Sequence, residues 1–254
     1  MRFTRYHFIL AIGILLGALA LMARSVGLGI GAVIFLLACI GLGVAFPQLS
    51  LFGRFVCRGP RGRKCVALTF DDGPDERSTP ALLELLAERG VKAAFFGVGK
   101  RVAAHPDIAA RIVREGHLLE NHSYAHSNAT NFFTVQRLRT ELNQAQEAIR
   151  QATGIAPTCF RPPMGLSNPR VFRAAREAGL TVIGWSARGL DTKLTDSEEV
   201  VSRICRRIEP GTIVLLHDGN IPAERLITTV KTLLDRLRAL DYEVVRLDQL
   251  LNSN

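Results

Sequence analysis

The chain has 254 residues and a formal net charge of +9, from 32 Lys and Arg against 23 Asp and Glu. Roughly 200 residues from Leu51 onward suffice for one domain with a full core. The basic excess comes without an RNA-binding signature or an aromatic-plus-basic pattern, which argues against nucleic acid, and five scattered cysteines with no CxxC pair call for neither a disulfide framework nor a cysteine metal site.

In chain order, two apolar runs come first, residues 8–23 and 26–46, separated by Arg24-Ser25. The second is long enough to span a bilayer and the first slightly short, so two transmembrane helices are expected. Ala18-Leu19-Ala20 also fits a signal-peptidase site, and cutting there would leave the second run as an anchor. Arg2 and Arg5 precede the runs, and Arg54, Arg58, Arg61, Arg63 and Lys64 follow them, with Arg24 between. That distribution keeps both ends of a hairpin cytoplasmic, and the basic run beside an apolar segment suits contact with anionic membrane lipid. The expected divisions are a membrane anchor at 1–50, a basic linker at 51–64 and a catalytic domain at 65–254.

From residue 65 strand-like and helix-like patterns alternate. Strands are expected at 65–70, 92–98, 117–120, 158–160, 181–185, 212–216 and 242–247. Helices are expected after Thr79-Pro80, with Thr79 as N-cap, from Pro106, across 135–153, after Asn168-Pro169, after a capping box of Thr195 and Glu198, and across 223–240. Regular alternation implies an α/β domain of parallel strands covered by helices, either a barrel or a doubly wound sheet, with working groups at the strand C-terminal ends.

Those ends collect polar residues. Thr69-Phe70-Asp71-Asp72-Gly73-Pro74 closes the first strand with two adjacent carboxylates, which repel one another unless a cation is near. The third strand leads to Asn121 and His122, and His122-Ser123-Tyr124-Ala125-His126 has the i, i+4 spacing that would set two imidazoles on one side of a helical turn. With Asp72 they make a two-His, one-carboxylate set for a divalent metal such as zinc, leaving positions open for water and substrate. Asp71 is then free to act as a general base, and His217, at the end of the sixth strand, to protonate a leaving group. Arg161 is a candidate partner for Asp71, and Asp191 for Arg161 or His217.

Four of these stretches carry a resemblance. Thr69–Pro74, His122–His126, Arg161-Pro162-Pro163-Met164-Gly165 and Leu215-Leu216-His217-Asp218 are similar, in order and spacing, to the motifs of the polysaccharide deacetylases of carbohydrate esterase family 4, the NodB-homology domain. The resemblance covers residues 64–251. It implies a distorted (β/α)7 barrel, a divalent metal that is usually zinc, and removal of N-acetyl groups from amino sugars. It implies Asp71 as base, Asp72, His122 and His126 as metal ligands, His217 as acid and Arg161 as tether of Asp71. Trp185 and Leu215 would line the slot for the acetyl methyl, with Pro163 and Met164 in the substrate loop. Met164 stands where many relatives carry tyrosine; its backbone N–H would still serve an oxyanion. The motif around Asp191 departs further, since Thr192 follows it where relatives have tryptophan.

The expected substrate is an N-acetylated amino sugar on a cell-envelope glycan or on a lipid. The charge pattern favours a cytoplasmic catalytic domain at the bacterial inner membrane, whereas the family's polymers lie outside it. The competing reading is an inactive glycan- or lipid-binding membrane protein that keeps the site. A two-carboxylate glycosidase fits poorly, because its acids must flank the scissile bond and chain neighbours do not.

Overall fold

The structure, a computed structural model, describes residues 5–252. The expectation attached to Arg2, and the last two residues of the expected domain, lie outside them. Helices α1 (Arg5–Met22) and α2 (Val26–Ala45) pack into a hairpin, turned at Arg24 with φ +49° and capped by Ser25, whose hydroxyl accepts from the Leu28 N–H. Their apolar side chains stand largely exposed, among them Phe8, Leu21, Val26 and Leu37. Residues 26–44 are long and apolar enough to cross a membrane, with mean hydropathy 2.4, whereas the apolar stretch of α1, residues 8–19, is shorter.

Beyond the hairpin the elements run β1 (Cys65–Asp71), α3 (Ser78–Glu88), β2 (Ala94–Gly97), α4 (Gly99–Ala104), α5 (Pro106–Arg114), β3 (Leu118–Asn121), α6 (Val135–Thr153), β4 (Cys159–Phe160), α7 (Pro169–Glu177), β5 (Thr181–Val182), β6 (Ala187–Arg188), α8 (Ser197–Cys205), β7 (Thr212–His217), α9 (Ala223–Ala239), β8 (Glu243–Val244) and α10 (Leu247–Asn252). Every strand pairing is parallel, in the order β5-β4-β3-β2-β1-β7-β6, with β8 on the first residues of β1. Residues 183–186 run from β5 at one end of that order to β6 at the other. Single bridges from Val56 to Ile183 and from Arg58 to Thr212 help fill the gap. The sheet is thus a curled, parallel half-barrel.

Period-two alternation decides what the half-barrel encloses. Val66, Leu68 and Phe70 of β1 belong to the core beneath α3, α5, α8 and α9, where Leu82, Leu86, Ile112, Val200 and Leu233 are buried. Each such side chain contributes about 1.5–3 kcal/mol on burial. Cys65 and Ala67 join the smaller cluster with Ala94, Phe96 and Ile213. On that same face Thr69 and Asp71 follow. The β1–β7 register pairs Ala67 with Ile213, Thr69 with Leu215 and Asp71 with His217, so alternation aligns the inner rows of both strands and brings the last two polar residues abreast.

Several local expectations are corrected. There are eight strands among the described residues rather than seven, because the 181–185 segment shortens to Thr181–Val182 and Ala187–Arg188 forms a separate strand on β7. The last strand is only Glu243–Val244, and Leu247 opens α10. Helix α4 had no periodic signature of its own. Thr79 does not cap α3, which begins at Ser78; its hydroxyl is engaged by Asp218 instead. Asp196, not Thr195, caps α8 by accepting from the Glu198 N–H. Pro106 and the Asn168 cap stand as expected.

Candidate active site

The two adjacent carboxylates leave β1 differently. Asp71 ends the inner row and is buried, whereas Asp72 has φ +76°, a left-handed conformation that breaks the alternation. The turn is anchored from beneath by Asp218. That carboxylate accepts from the Gly73 N–H at 3.1 Å and from the Thr79 hydroxyl at 2.6 Å. The Ser78 hydroxyl donates to the Asp218 carbonyl, and the Asp218 N–H to the Asp71 carbonyl at 3.0 Å. A Cβ on Gly73 would overlap the Asp218 carboxylate, so glycine is required there. Burial pushes the Asp218 carboxyl up to about 7, against the Thr79 bond that lowers it.

His122 follows β3, and its N–H donates to the Gly97 carbonyl. Its Nδ1 lies 2.7 Å from the Arg161 carbonyl; a carbonyl only accepts, so Nδ1 carries the proton. In the neutral ring Nε2 then carries an unprotonated lone pair, free to ligate a metal, 3.5 Å from Asp72 Oδ1 and 3.8 Å from Asp71 Oδ2. His126 Nε2 lies 3.2 Å from the same Asp72 oxygen, and the two rings are 4.9 Å apart. The expected helical turn is absent. Ser123 and His126 both have positive φ, and an irregular loop brings the imidazoles together. Three bonds hold it: Asn121 Oδ1 accepts from the Ser123 N–H, the Ser123 hydroxyl from the His126 N–H, and Glu141 of α6 from the Ala125 N–H.

Asp72, His122 and His126 each offer one ligand atom, all within 4.8 Å of one another. Burial and the neighbouring His122 lower the His126 pKa, which favours a neutral ligand. Burial alone would raise the Asp72 carboxyl, but His122 and His126 hold it well below the usual carboxylate range. Two imidazole nitrogens and one carboxylate oxygen, with the His122 tautomer already set by the Arg161 carbonyl, fit a divalent ion of the zinc type.

Arg161, after β4, is fully buried. One guanidinium nitrogen donates to Asp71 Oδ1 at 2.6 Å and to the Thr69 hydroxyl at 2.8 Å, and the other to the Gly184 carbonyl at 2.9 Å. The Phe96 ring lies 4.1 Å beneath it. Asp191 is the partner of His217 rather than of Arg161. Its carboxylate accepts from His217 Nδ1–H at 3.0 Å and from the His217 backbone N–H at 2.8 Å. Burial would lower the His217 pKa; the Asp191 carboxylate, with Asp71 and Asp72, overrides that and raises it to about 9.

Trp185 and Leu215 are both 5% exposed. The Trp185 ring packs so closely on Gly165 that a Cβ there would overlap it, and Gly165 itself has φ +67°. Pro163 is buried, whereas Met164 is half exposed at φ +58°. Asp71, Asp72, His122, His126, Arg161, Asp191 and His217 are therefore linked through one connected set of contacts. Sequence reasoning gave no role to Thr69, Asn121, Glu141 or Asp218, which hold the others in place. Thr69 carried a signal, since it lies two residues before Asp71 on the same strand face, as did Asn121 and Asp218, at and just past the ends of β3 and β7.

The profile described as polysaccharide deacetylase matches residues 58–183. A chitooligosaccharide deacetylase of Bradyrhizobium is 36% identical over 190 residues, covering 74% of this chain and 86% of that protein. The peptidoglycan-N-acetylglucosamine deacetylase PgdA of Listeria monocytogenes is 36% identical over 187 residues, or 74% of this chain, and the match spans 39% of that longer protein. A Bacillus anthracis protein described as a CE4 family pseudoenzyme superposes with a TM-score of 0.72 at 28% identity, over 78% of this chain and 69% of its own.

Proposed function

The chain belongs to the polysaccharide deacetylase family, and we propose that it is a metal-dependent hydrolase that removes N-acetyl groups from an amino sugar carried on a cell-envelope glycan or on a lipid. The observation that carries this reading is the arrangement around Asp71. Arg161 holds one carboxylate oxygen, the other faces the Asp72, His122 and His126 cluster, and His217 is its partner across the β1–β7 register.

Asp72, His122 and His126 would hold the divalent ion, proposed to be zinc, which when bound would supply Lewis-acid chemistry. Asp71 accepts a proton from the attacking water on Oδ2, the oxygen that Arg161 leaves free. The Arg161 guanidinium, bonded to Oδ1 at 2.6 Å, fixes the orientation of Asp71. His217, protonated because Asp191 faces it, gives its Nε2 proton to the departing sugar nitrogen, so acetate and a free amine leave. The backbone N–H of Met164 is proposed to meet the developing oxyanion, and Trp185 and Leu215 to shape the methyl slot.

The hairpin α1–α2 is proposed as an anchor in the bacterial inner membrane. Arg5 at the start of α1 donates to the Leu49 carbonyl just past α2, so the basic end of the hairpin is the end nearest the rest of the chain. By the positive-inside tendency this favours a cytoplasmic catalytic domain. A C-terminal reporter active only in the periplasm would defeat that orientation.

The deciding assay is acetate release from N-acetylglucosamine oligomers and from a lipid-linked N-acetylglucosamine by the metal-loaded full chain. Acetate with an equivalent amine product supports the reading. Metal and sugar binding without acetate supports the inactive binder, which likeness to a pseudoenzyme favours.

A further inference from the structure

A hollow of about 620 Å³ lies on the outer side of the half-barrel, between the end of α2, β6 and α8. Four arginines, Arg188, Arg203, Arg206 and Arg207, line it together with Gln48 and Trp185. No acidic residue lines it. Among the described residues none of the four arginines is within ion-pair distance of a carboxylate: the pairs formed by Arg58, Arg61, Arg63, Arg236 and the rest lie elsewhere. Arg203 Nε is also buried with no hydrogen-bond partner. Four unneutralised guanidinium groups around one hollow repel each other, and a buried N–H left unmet is destabilising. An anion relieves both, and a planar fork of N–H donors matches phosphate oxygens in particular.

The place of the hollow narrows the anion further. Phe46, the residue after α2, lies on its wall half exposed, and the Gln48 side chain donates to the Trp185 carbonyl at 3.2 Å, tying the helix end to the barrel. Arg5 lies at this same end of the hairpin, whereas Arg24 marks the other. The end of an apolar span is the level of the lipid phosphates. Trp185 is common to the hollow and to the candidate active site: the Arg188 and Arg161 guanidinium groups each lie 5.9 Å from its ring, and the ring rests on Gly165 in the loop after Arg161.

We propose that this hollow binds the phosphate group of a membrane-borne molecule, and that this phosphate is the one linking an amino sugar to its lipid. The affinity for phosphate rests on the arginines alone. The use of the hollow as a substrate subsite rests on the deacetylase reading above. The same phosphate chemistry could come from the headgroup of a bulk anionic lipid, and the test separates the two.

The metal-loaded full chain in neutral detergent is titrated with inorganic pyrophosphate at constant ionic strength, followed by calorimetry. Saturable binding is expected, weakened at least tenfold in Arg206→Gln/Arg207→Gln, both exposed positions, and in Arg203→Gln. Absence of saturable binding, equal affinity in all three proteins, or loss confined to Asp72→Ala would overturn the proposal; the last would put pyrophosphate at the histidine cluster. The titration is repeated in nanodiscs of phosphatidylcholine and of phosphatidylglycerol. Equal affinity in both is expected for a subsite reserved for substrate, and a tenfold fall in phosphatidylglycerol would overturn that assignment in favour of bulk headgroups. Because no turnover is read, a chain that binds pyrophosphate as expected yet releases no acetate from any N-acetylated sugar would defeat the deacetylase reading and leave the phosphate site standing.

Discussion

Arg161 Nη1 lies 2.6 Å from Asp71 Oδ1, and neither side chain is more than 5% exposed. The pair joins the end of β1 to the turn after β4 through the interior of the half-barrel, with Thr69 and Gly184 taking further N–H groups of the same guanidinium. Arg161 also offers its carbonyl to His122, so a single residue orients the proposed base and one proposed ligand.

Arg161→Met removes the charge and leaves Asp71 buried without its partner. Breaking a buried pair from one side costs about 3–5 kcal/mol, and denaturant unfolding of Arg161→Met is expected to show a loss of that order. Adding Asp71→Asn to the same protein should restore part of it. Additive losses in the double variant would contradict the pairing as the source of the effect.

In the proposed mechanism His217 gives the leaving group its proton, so activity is expected to fall as pH rises through its pKa. Burial alone would depress that pKa, but Asp191 raises it to about 9. The alkaline limb of kcat/KM should lie near there, and Asp191→Asn should move it down by about one unit or more as the favourable charge is lost. An unmoved limb would show that Asp191 does not set the charge state of His217.

Asp72→Ala and His126→Ala each remove one of three proposed ligands. Metal content by elemental mass spectrometry should fall well below stoichiometric after dialysis in both variants, while the far-UV spectrum keeps its helical content. Full metal retention in either would remove that residue from the ligand set.

His117 gives a stability signature remote from the chemistry. Its Nδ1 accepts from the Ala93 N–H at 3.0 Å, and burial, helped by Lys92 and Arg246, pushes its pKa down to about 4. An unfolded histidine titrates near about 6.5. Between those values the unfolded chain holds the proton and the folded chain does not, so stability falls as pH drops through that window. His117→Asn keeps an acceptor for Ala93 without a titrating group. The urea midpoint of the wild type should therefore fall more steeply than that of the variant between about pH 7 and about pH 5. Parallel curves would contradict the assignment.

Much of the site was legible in the chain because parallel strands expose their C-terminal residues on one side. Asp71, Asn121, Arg161 and His217 each stand at or just past such an end, and motif spacing did the rest. The local geometry was less legible. The i, i+4 spacing of His122 and His126 suggested a helical turn, yet positive φ at Ser123 and His126, stabilised by Asn121 and Glu141, places them by a different route. Thr79 reads as a cap beside Pro80, but Asp218, 139 residues away in sequence, takes its hydroxyl. Asp191 had two equally suitable partners until the fold set it against His217. Strands of two residues, such as Ala187–Arg188, are too short for any periodicity to register. For Thr79, Asp191 and Ala187–Arg188 the deciding contact is long-range, and local patterns carry no record of it.

The central claim is that Asp71 takes a proton while Asp72, its chain neighbour, holds the ion. Acetate release by metal-loaded Asp71→Asn, with metal content measured on the same sample, tests it most directly. The account predicts stoichiometric metal and a rate lowered by about 10²–10⁴, the usual contribution of a positioned base. Wild-type turnover in that variant would contradict it.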